Sequence, residues 1–229
     1  MTPAPRMEVV RTPGAVRNRV RAWRRAGKTV AFVPTMGYFH EGHLSLMRRA
    51  ARLADRVVVS IFVNPTQFGP GEDFATYPRN VSRDLALARA ESVDLCFAPR
   101  AETLYAADRC TEVHVTGLEH VLEGDARPTH FGGVALIVLK LLHIVEPDLL
   151  VLGQKDAQQI VILERMIDDL DVPVRVVRGP IVRERDGLAM SSRNVRLGTE
   201  DRRAATVLWR ALKEAQSRIR AGERDASSV

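Results

Sequence analysis

Short apolar runs that alternate with stretches of helical periodicity constrain the fold of this chain more than any other feature. The run RVVVSIFV (Arg56–Val63) is apolar almost throughout, which is typical of a parallel strand covered on both faces. Similar runs occupy residues 29–35, 94–99, 148–153 and 172–177, and helical spacing of apolar residues separates them. Because strands that alternate with helices form parallel sheets, the pattern predicts an α/β protein.

The expected architecture is a Rossmann-like parallel sheet flanked by helices, formed by residues 1–180. Near Pro180–Asn194 the composition changes, and a charged helical pattern over Thr199–Arg220 follows. Residues 181–229 are therefore predicted to belong to a second, smaller unit. In an open parallel sheet, ligands bind at the carboxyl ends of the strands, so chemically active motifs should follow strands directly.

Composition restricts the classes of function without selecting one. The chain has 34 Lys and Arg against 28 Asp and Glu, a net charge of +6, but much of the arginine falls on amphipathic helical patterns. It lacks both the interleaved basic and aromatic residues of single-strand binders and the roughly 18 to 20 consecutive apolar residues of a membrane helix. Its first residues lack the apolar core of a signal peptide. We therefore expect a cytoplasmic protein with neither a nucleic-acid nor a membrane partner.

The stretch PTMGYFHEGHLSL (Pro34–Leu46) follows the first long strand and carries two histidines, His40 and His43. A zinc site is disfavoured because the HExxH pattern spaces its histidines four apart, and a core position is disfavoured at a strand-to-helix turn. A helix beginning at His43 would offer unpaired N–H groups and the positive end of its dipole. The stretch is therefore predicted to bind phosphate and to stabilise charge on a leaving pyrophosphate.

Three further motifs follow other predicted strands. Asn64 and Gln67 of SIFVNPTQF can hydrogen-bond hydroxyls or a carboxylate, although Asn-Pro is also ordinary turn chemistry. In VLGQKDAQQIVIL, Lys155 precedes a helix and can bind an anion, whereas Asp156 suits an N-cap. In RERDGLAMSSRNVRL, two hydroxyls and a guanidinium (Ser191, Ser192 and Arg193) suit triphosphate oxygens, or else form a polar turn.

Taken together, these motifs resemble those of the pantothenate synthetase (pantoate–β-alanine ligase) family, within the HxGH adenylyl-transferring superfamily. The resemblance rests on PTMGYFHEGHLSL, FVNPTQF, DFATYPR, HFGGV with VLKLLHIVEPD, GQKDAQQ and DGLAMSSRN, in the family's order and at its spacing. It covers about Val30 to Leu197. It implies an ATP-dependent ligase that forms pantoyl adenylate and pyrophosphate, then passes the pantoyl group to β-alanine to give pantothenate and AMP.

The resemblance also implies roles for individual residues. Residues that match the family's catalytic positions are His40, His43, Lys155, Ser191, Ser192 and Arg193. Residues that match ATP-binding positions are Met36, His43, Gly153, Lys155, Asp156, Met190, Ser191, Ser192 and Arg193. Pantoate would be bound by Met36, Asn64, Gln67 and Gln159. Mg²⁺ would be held mainly by ATP phosphates, with no ligand from protein side chains, and the protein would be a homodimer.

Departures from the family pattern lie next to these motifs. Tyr38 and Phe39 are bulkier than the small and aliphatic pair common there, and Thr129 and Leu136 replace a usual glycine and threonine. The family also continues through a longer C-terminal region, so the resemblance implies a shortened lid domain. Two rival functions remain: a nucleotidyltransferase that adds AMP to a phosphorylated acceptor, and a non-catalytic nucleotide- or RNA-binding module.

Overall fold

The computed structural model describes residues 7–228 and contains a six-stranded sheet in which all strand pairs are parallel. The strands are β1 (Glu8–Val10), β2 (Val30–Thr35), β3 (Arg56–Ile61), β4 (Leu95–Phe97), β5 (Leu149–Gly153) and β6 (Arg175–Gly179), in the spatial order β1-β4-β3-β2-β5-β6. The predicted Rossmann-like parallel sheet is therefore confirmed. The edge strand β1 escaped prediction because three residues are too few to show a period.

Helices and short 3-10 turns connect the strands. The helices are α1 (Pro13–Arg25), α2 (Glu41–Leu53), α3 (Val81–Ala90), α4 (Ala101–Leu104), α5 (Glu123–Ala126), α6 (His130–Val145), α7 (Ala157–Asp169), α8 (Thr199–Ala204) and α9 (Val207–Arg220). The 3-10 turns are Pro65–Gln67, Gln154–Asp156 and Ser192–Arg196. Local signals account for several of these ends; α1, for example, begins with Thr12 as N-cap and Pro13 in its first turn.

Each face of the sheet has its own apolar core. Along β2, Val30 and Phe32 join one core with α1, α6 and α7, whereas Ala31 and Val33 join the other core with α2 and α3. Because successive side chains of a strand point to opposite faces, both sets must be apolar. This two-sided burial explains why the central strands appear in the sequence as uninterrupted apolar runs.

Helix α6 is buried around most of its circumference. Eleven of its 16 residues are buried, and it contacts α1, α7, β2 and the turn Pro65–Gln67. A helix that is apolar all round needs neighbours on every side, and here they are helices and a sheet. Over residues 7–228, the helices lack the combination of length and hydropathy that a bilayer crossing requires.

The strand order reverses between β2 and β5. On one side of β2 the chain adds β3 and then β4, with the first strand, β1, at the outer edge, whereas β5 and β6 extend the sheet on the other side. The loops that follow β2 and β5 therefore leave the sheet in different directions and open a crevice between them. The two motifs that are predicted to bind phosphate or another anion, which contain His40 and Lys155, follow these two strands.

Residues after β6 fold back toward this crevice. Arg183 and Ala189 form an antiparallel bridge that frames the turn at Gly187, and the ring of Trp209 from α9 packs against that glycine. Arg202 of α8 pairs with Glu184 and Asp186 of the same turn. The turn is thus attached to the C-terminal helices, and the predicted helical tail is present as two helices, α8 and α9.

Candidate active site

A cavity of about 680 Å³ lies at the carboxyl ends of β2 and β5, and a volume of this size suits a small-molecule substrate. All the residues predicted to act in catalysis or binding line it: Met36, His40, His43, Asn64, Gln67, Gly153, Lys155, Asp156, Gln159, Met190, Ser191, Ser192 and Arg193. They come from four separate parts of the sequence. The structure therefore brings the predicted site residues together, while their individual roles remain predictions.

The two histidines lie in the turn between β2 and α2, residues 37–43, called here the histidine turn. His40 is the N-cap of α2, so the prediction that this helix begins at His43 is wrong by two residues. The Nδ1 atom of His40 accepts a hydrogen bond from the Gly42 N–H at 3.1 Å, and Nδ1 of His43 accepts from the His40 N–H at 3.4 Å. Imidazole here takes the capping role usual for Ser, Asp or Asn, which the sequence did not indicate.

These contacts determine which ring nitrogens can donate. A ring nitrogen that accepts a backbone N–H carries no proton, so in the neutral state each proton resides on Nε2. The imidazole rings lie 4.1 Å apart between centroids, and both line the cavity. The pair can therefore present two N–H donors to one anionic group.

Electrostatics keeps both imidazoles neutral. Burial, reinforced by His40 and Lys155, lowers the pKa of His43 to about 3. Burial also lowers the pKa of His40, and the nearby Lys155 and Arg83 charges act in the same direction. At neutral pH both rings are thus hydrogen-bond donors without a net charge of their own.

Gly42 permits the close packing of this turn. A methyl group at this position would approach Cε1 and Nδ1 of the His40 ring to 2.8 and 2.9 Å, closer than nonbonded atoms tolerate. The glycine that separates the two histidines is therefore required by the position of the first imidazole.

Neutral amides form another part of the cavity. Asn64 is 1% exposed, and its Nδ2 atom donates to Oε1 of Gln67 at 3.1 Å and to the Gly133 carbonyl at 3.1 Å. Its Oδ1 atom accepts from the Tyr105 hydroxyl at 2.7 Å. Asn64 thus orients Gln67, whose Nε2 atom contacts only the Met36 sulfur at 3.3 Å within the described residues.

The two glutamines that open α7 have different surroundings. The Gln158 side chain accepts from the Glu123 N–H and donates to the carbonyls of Leu118 and Val121, so it fastens the preceding loop. The Gln159 side chain makes no hydrogen bond to residues 7–228 and lines the cavity. Gln158 therefore holds a loop, whereas the amide of Gln159 is available to a ligand.

Lys155 and Asp156 follow β5 in a 3-10 turn. The Lys155 ammonium donates to Oδ1 of Asp156 at 3.0 Å, and its side chain remains 40% exposed. Asp156 occupies the N-cap position of α7, but its side chain makes no capping hydrogen bond. The carboxylate is thus directed to the lysine, and both groups line the cavity.

The segment of residues 190–196, called here the serine–arginine segment, closes another side of the cavity. The Ser192 hydroxyl donates to the Tyr38 carbonyl at 3.1 Å, and Ser191 caps the 3-10 turn by accepting from the Arg193 N–H at 3.2 Å. The Arg193 guanidinium donates two hydrogen bonds to Asp73 at 2.8 and 2.9 Å. These bonds to Arg193 lower the pKa of Asp73 to about 2, so the pair is ionised at neutral pH.

The cavity also contains residues that sequence reasoning missed. Arg127 pairs with Glu72 and Glu123, and both it and His130 bond the Gln67 carbonyl. Burial lowers the pKa of His130. Helix α6 contributes four apolar residues to the wall, Val134, Ile137, Val138 and Leu141. The His-Phe pair at the start of α6 was the available signal for His130, whereas the Arg127 pairing with Glu72 spans 55 residues and leaves no local pattern.

The cavity therefore combines two kinds of surface. One consists of neutral N–H donors, an ammonium, hydroxyls and a guanidinium, which suits the oxygens of a polyphosphate. The other consists of neutral amides and an apolar helix face, which suits a small molecule with hydroxyl or carboxylate groups and a hydrocarbon part. An arrangement of this kind can hold a nucleotide phosphate next to a small acid.

Comparison with known sequences identifies similar proteins. A sequence model of the family described as Pantoate-beta-alanine ligase matches residues 8–229. The pantothenate synthetase of Heliobacterium modesticaldum is 57% identical over 209 residues, which are 91% of this chain and 74% of that protein.

Solved structures give the same result. The crystal structure of pantothenate synthetase from Thermus thermophilus superimposes with a TM-score of 0.90 at 47% identity, covering 94% of this chain and 77% of that one. The pantoate-beta-alanine ligase of Francisella tularensis, solved in complex with beta-gamma ATP and beta-alanine, superimposes with a TM-score of 0.86 at 34% identity. It covers 90% of this chain and 79% of its own.

Proposed function

The chain belongs to the pantoate–β-alanine ligase family, and we propose that it condenses pantoate with β-alanine in an ATP-dependent reaction. A carboxylate oxygen of pantoate attacks the α-phosphorus of ATP, an O–P bond forms, and pyrophosphate leaves. The amine of β-alanine then attacks the carbonyl carbon of this pantoyl adenylate. A C–N bond forms, the amine loses a proton, and AMP leaves with the electrons of the broken C–O bond.

The observation that carries this proposal is the division of the cavity into a phosphate-binding and a neutral surface. Two neutral imidazoles present Nε2–H donors where a leaving pyrophosphate gains charge, and such preorganised donors stabilise the transition state. Gln67 and Gln159 offer uncharged amides to the acid. Because the reaction needs only alignment and charge stabilisation, it requires no side-chain nucleophile.

We assign roles on this basis. His40 and His43 would donate to the phosphates during transfer, and Lys155, Ser191, Ser192 and Arg193 would hold the β- and γ-phosphates. Met36, Gly153, Asp156 and Met190 would contact the nucleotide. Gln67 and Gln159 would bind pantoate, with the Met36 N–H assisting. Asn64 would act on pantoate through Gln67, since its own amide is engaged within the protein.

Pantoate-dependent exchange of labelled pyrophosphate into ATP tests the first step, and AMP release on addition of β-alanine tests the second. We expect exchange with pantoate alone and AMP release only when both substrates are present. Exchange that needs a phosphorylated acceptor instead of pantoate would overturn the proposal.

The nucleotidyltransferase alternative requires a cationic site for the acceptor's phosphate. Arg127 is the cation nearest to Gln67, but it already pairs with Glu72 and Glu123. The hydrogen bonds that it donates to these carboxylates stabilise its charge and raise its pKa. Because its charge is already balanced by two carboxylates, Arg127 is poorly suited to bind an additional phosphate. The site therefore favours a carboxylic acid with hydroxyl groups over a phosphorylated acceptor.

We further propose that Mg²⁺ enters with ATP and neutralises part of the phosphate charge. Among residues 7–228, no three His, Cys, Asp or Glu side chains are grouped closely enough to hold a metal ion. The hard phosphate oxygens would therefore be its main ligands, which agrees with the usual coordination of Mg²⁺ in nucleotide sites.

Three other features are proposed from the family resemblance: a homodimer, a cytoplasmic location and a lid formed by residues 181–229. The lid proposal is supported by the Ser192–Tyr38 and Arg193–Asp73 contacts, which join the C-terminal part to the rim of the cavity. Sedimentation velocity measures the oligomeric state, and a single species of about 25 kDa would contradict the homodimer.

A further inference from the structure

We propose that Asp84 is a positioning residue for adenylate formation: it fixes the Tyr38–Phe39 part of the histidine turn and thereby aims both imidazoles into the cavity. The inference rests on the proposed function, because it concerns the step in which those imidazoles act. Asp84 lies on α3, outside every motif discussed above, and does not line the cavity.

The contacts of Asp84 are short and directed at the backbone. Its Oδ2 atom accepts a hydrogen bond from the Tyr38 N–H at 2.7 Å, and its Oδ1 atom accepts from the Phe39 N–H at 2.7 Å. The side chain is 1% exposed. A buried carboxylate that accepts two backbone N–H groups binds them strongly, since the hydrogen bonds are charge-assisted and water does not compete.

The turn needs such an anchor because its backbone is strained. Tyr38 has a φ of 52°, in the left-handed region that bulky residues rarely adopt, and it follows Gly37 with a φ of 84°. A non-glycine residue in this region is strained and persists only where its surroundings hold it there. Asp84 bonds the two N–H groups that this conformation directs toward α3.

Arg83, the neighbour of Asp84, strengthens the attachment from the surface side. Its guanidinium donates to the Phe39 carbonyl at 2.9 Å and lies 5.5 Å from the centre of the Tyr38 ring. It is also the charged group nearest to the Asp84 carboxylate, at 4.0 Å. The bulky residues of the turn are thus held from α3 by one buried and one exposed side chain.

The position of this turn is transmitted directly to the histidines. Phe39 is 1% exposed, its ring lies 5.4 Å from the His43 ring, and His40 follows it in the chain. A shift of the Tyr38–Phe39 peptide therefore moves both imidazoles. Misplacement of a catalytic group by about 1 Å can reduce the rate on the order of 10²-fold.

Asp94 provides a matched control. It is also a largely buried aspartate that accepts a backbone N–H, from Val57 at 2.8 Å, and it pairs with Arg56 at 2.7 Å. It directly precedes β4 and contacts the amino end of β3, opposite the end of the sheet that carries the cavity. Asp94→Asn therefore removes a comparable contact without touching the histidine turn.

The experiment compares Asp84→Asn with Asp94→Asn in thermal unfolding, in pantoate-dependent ATP–pyrophosphate exchange, and in the NMR titration of the His43 imidazole. In Asp84→Asn an amide NH₂ opposes one backbone N–H. We expect kcat for exchange to fall on the order of 10²-fold. We also expect the pKa of His43 to rise toward 6.5 as water reaches the ring.

The direction of that pKa change separates displacement from simple loss of charge. Removing a negative charge alone would not raise the pKa of His43, which is lowered by burial and, to a smaller extent, by His40 and Lys155. Asp94→Asn is expected to lower the melting temperature while leaving kcat and the His43 titration as in the wild type. If a folded Asp84→Asn behaves in the same way, Asp84 is merely structural and the proposal is wrong.

Two other outcomes, an Asp84→Asn variant that does not fold and a wild-type protein without exchange activity, call for different measurements. If Asp84→Asn does not fold, Arg83→Lys keeps the positive charge but removes the guanidinium that bonds the Phe39 carbonyl. We expect the same His43 shift in smaller size, and an unchanged titration overturns the proposal. If the wild-type protein shows no pantoate-dependent exchange, the proposed function fails, whereas the NMR comparison still decides whether Asp84 positions the histidines.

Discussion

The histidine turn and the serine–arginine segment border the same phosphate-binding surface, but they are held in opposite ways. The histidine turn is fixed by a buried carboxylate and by imidazole caps within its own backbone. The serine–arginine segment is fixed by ion pairs of half-exposed side chains, from Arg193 and Arg196 to Asp73. One Ser192–Tyr38 hydrogen bond joins the two regions.

The difference indicates a division of labour between the two sides. Buried, charge-assisted contacts hold groups that must already be in place when charge develops on the phosphates. Surface ion pairs contribute little stability and are screened by salt, so the groups that they hold can exchange partners. We therefore expect Arg193 to leave Asp73 for phosphate oxygens when ATP binds, while the histidines remain where they are.

Among the changes considered for these two regions, removing an imidazole from the histidine turn should reduce the reaction rate most. We expect His43→Ala to reduce the rate of pantoyl adenylate formation on the order of 10²–10³-fold, because one preorganised donor is lost. ATP–pyrophosphate exchange measures this rate. The control is His143→Ala, which removes an exposed histidine in the last turn of α6. Near-normal exchange in His43→Ala would show that the imidazole has no role in phosphate transfer.

A smaller disturbance of the same turn is Gly42→Ala. The added methyl group would meet the His40 ring at 2.8 Å, so the imidazole must move, and we expect kcat to fall about 10-fold. Gly14→Ala is the matched control, since no atom lies within 4 Å of the methyl group that it adds in α1. We expect that control to keep full activity and to gain about 0.5–1 kcal/mol in the free energy of unfolding. Equal activities in both variants would contradict a rigid turn.

On the side of the serine–arginine segment, Asp73→Asn should have a modest effect that favours the reaction instead of slowing it. It frees Arg193 from its carboxylate partner, so we expect the KM for ATP to fall about two- to fivefold, the scale of an exposed ion pair. Initial rates at varied ATP measure this, and the difference from wild type should shrink as salt is added. A higher KM in Asp73→Asn would instead mean that Asp73 supports the nucleotide-bound position of Arg193.

The smallest expected effect is that of pH on the histidine turn. The pKa of His43 is lowered to about 3, so its ring stays neutral between pH 5 and 8 and should give exchange no acid limb near pH 6.5. Stability behaves differently, because an unfolded histidine titrates near 6.5. The unfolded chain then binds more protons, so this group's stabilising contribution declines as pH falls from 6.5 toward 3.

NMR titration of the imidazole signals checks the pH prediction directly. A His43 midpoint between pH 6 and 7 in the folded protein would show that the ring carries a charge in the range where the enzyme works. The histidine turn would then be less shielded than the structure indicates.

Much of the fold could be predicted from sequence because its signals are periodic and local. The central strands are buried on both faces, so their apolar runs are continuous, and the stretches of helical spacing between them form helices such as α7. The location of the site followed from the same reasoning, since motifs that follow parallel strands meet at one edge of a sheet. Lys155 and His40 are far apart in the chain and line one cavity for this reason.

The parts that escaped prediction depend on contacts between distant residues or on unusual chemistry. Imidazole is an uncommon helix cap, so the start of α2 at Glu41 was missed. Asp84 sits in an ordinary amphipathic helix, and only the fold brings its carboxylate to Tyr38, 46 residues away. Similarly, the sequence places the polar side chain of Asn64 directly after a strand. It could not show that the amide of this side chain is hydrogen-bonded to Gln67 and Gly133.

The helix α6 has a consequence for how this pocket can evolve. Val134, Ile137, Val138 and Leu141 belong to the apolar core and at the same time form the wall that a substrate would touch. Enlarging the pocket by shortening one of these side chains also removes core contacts, which costs roughly 0.5–5 kcal/mol for each truncation. New acceptor specificities at this wall are therefore accessible mainly to variants that have first accumulated surplus stability.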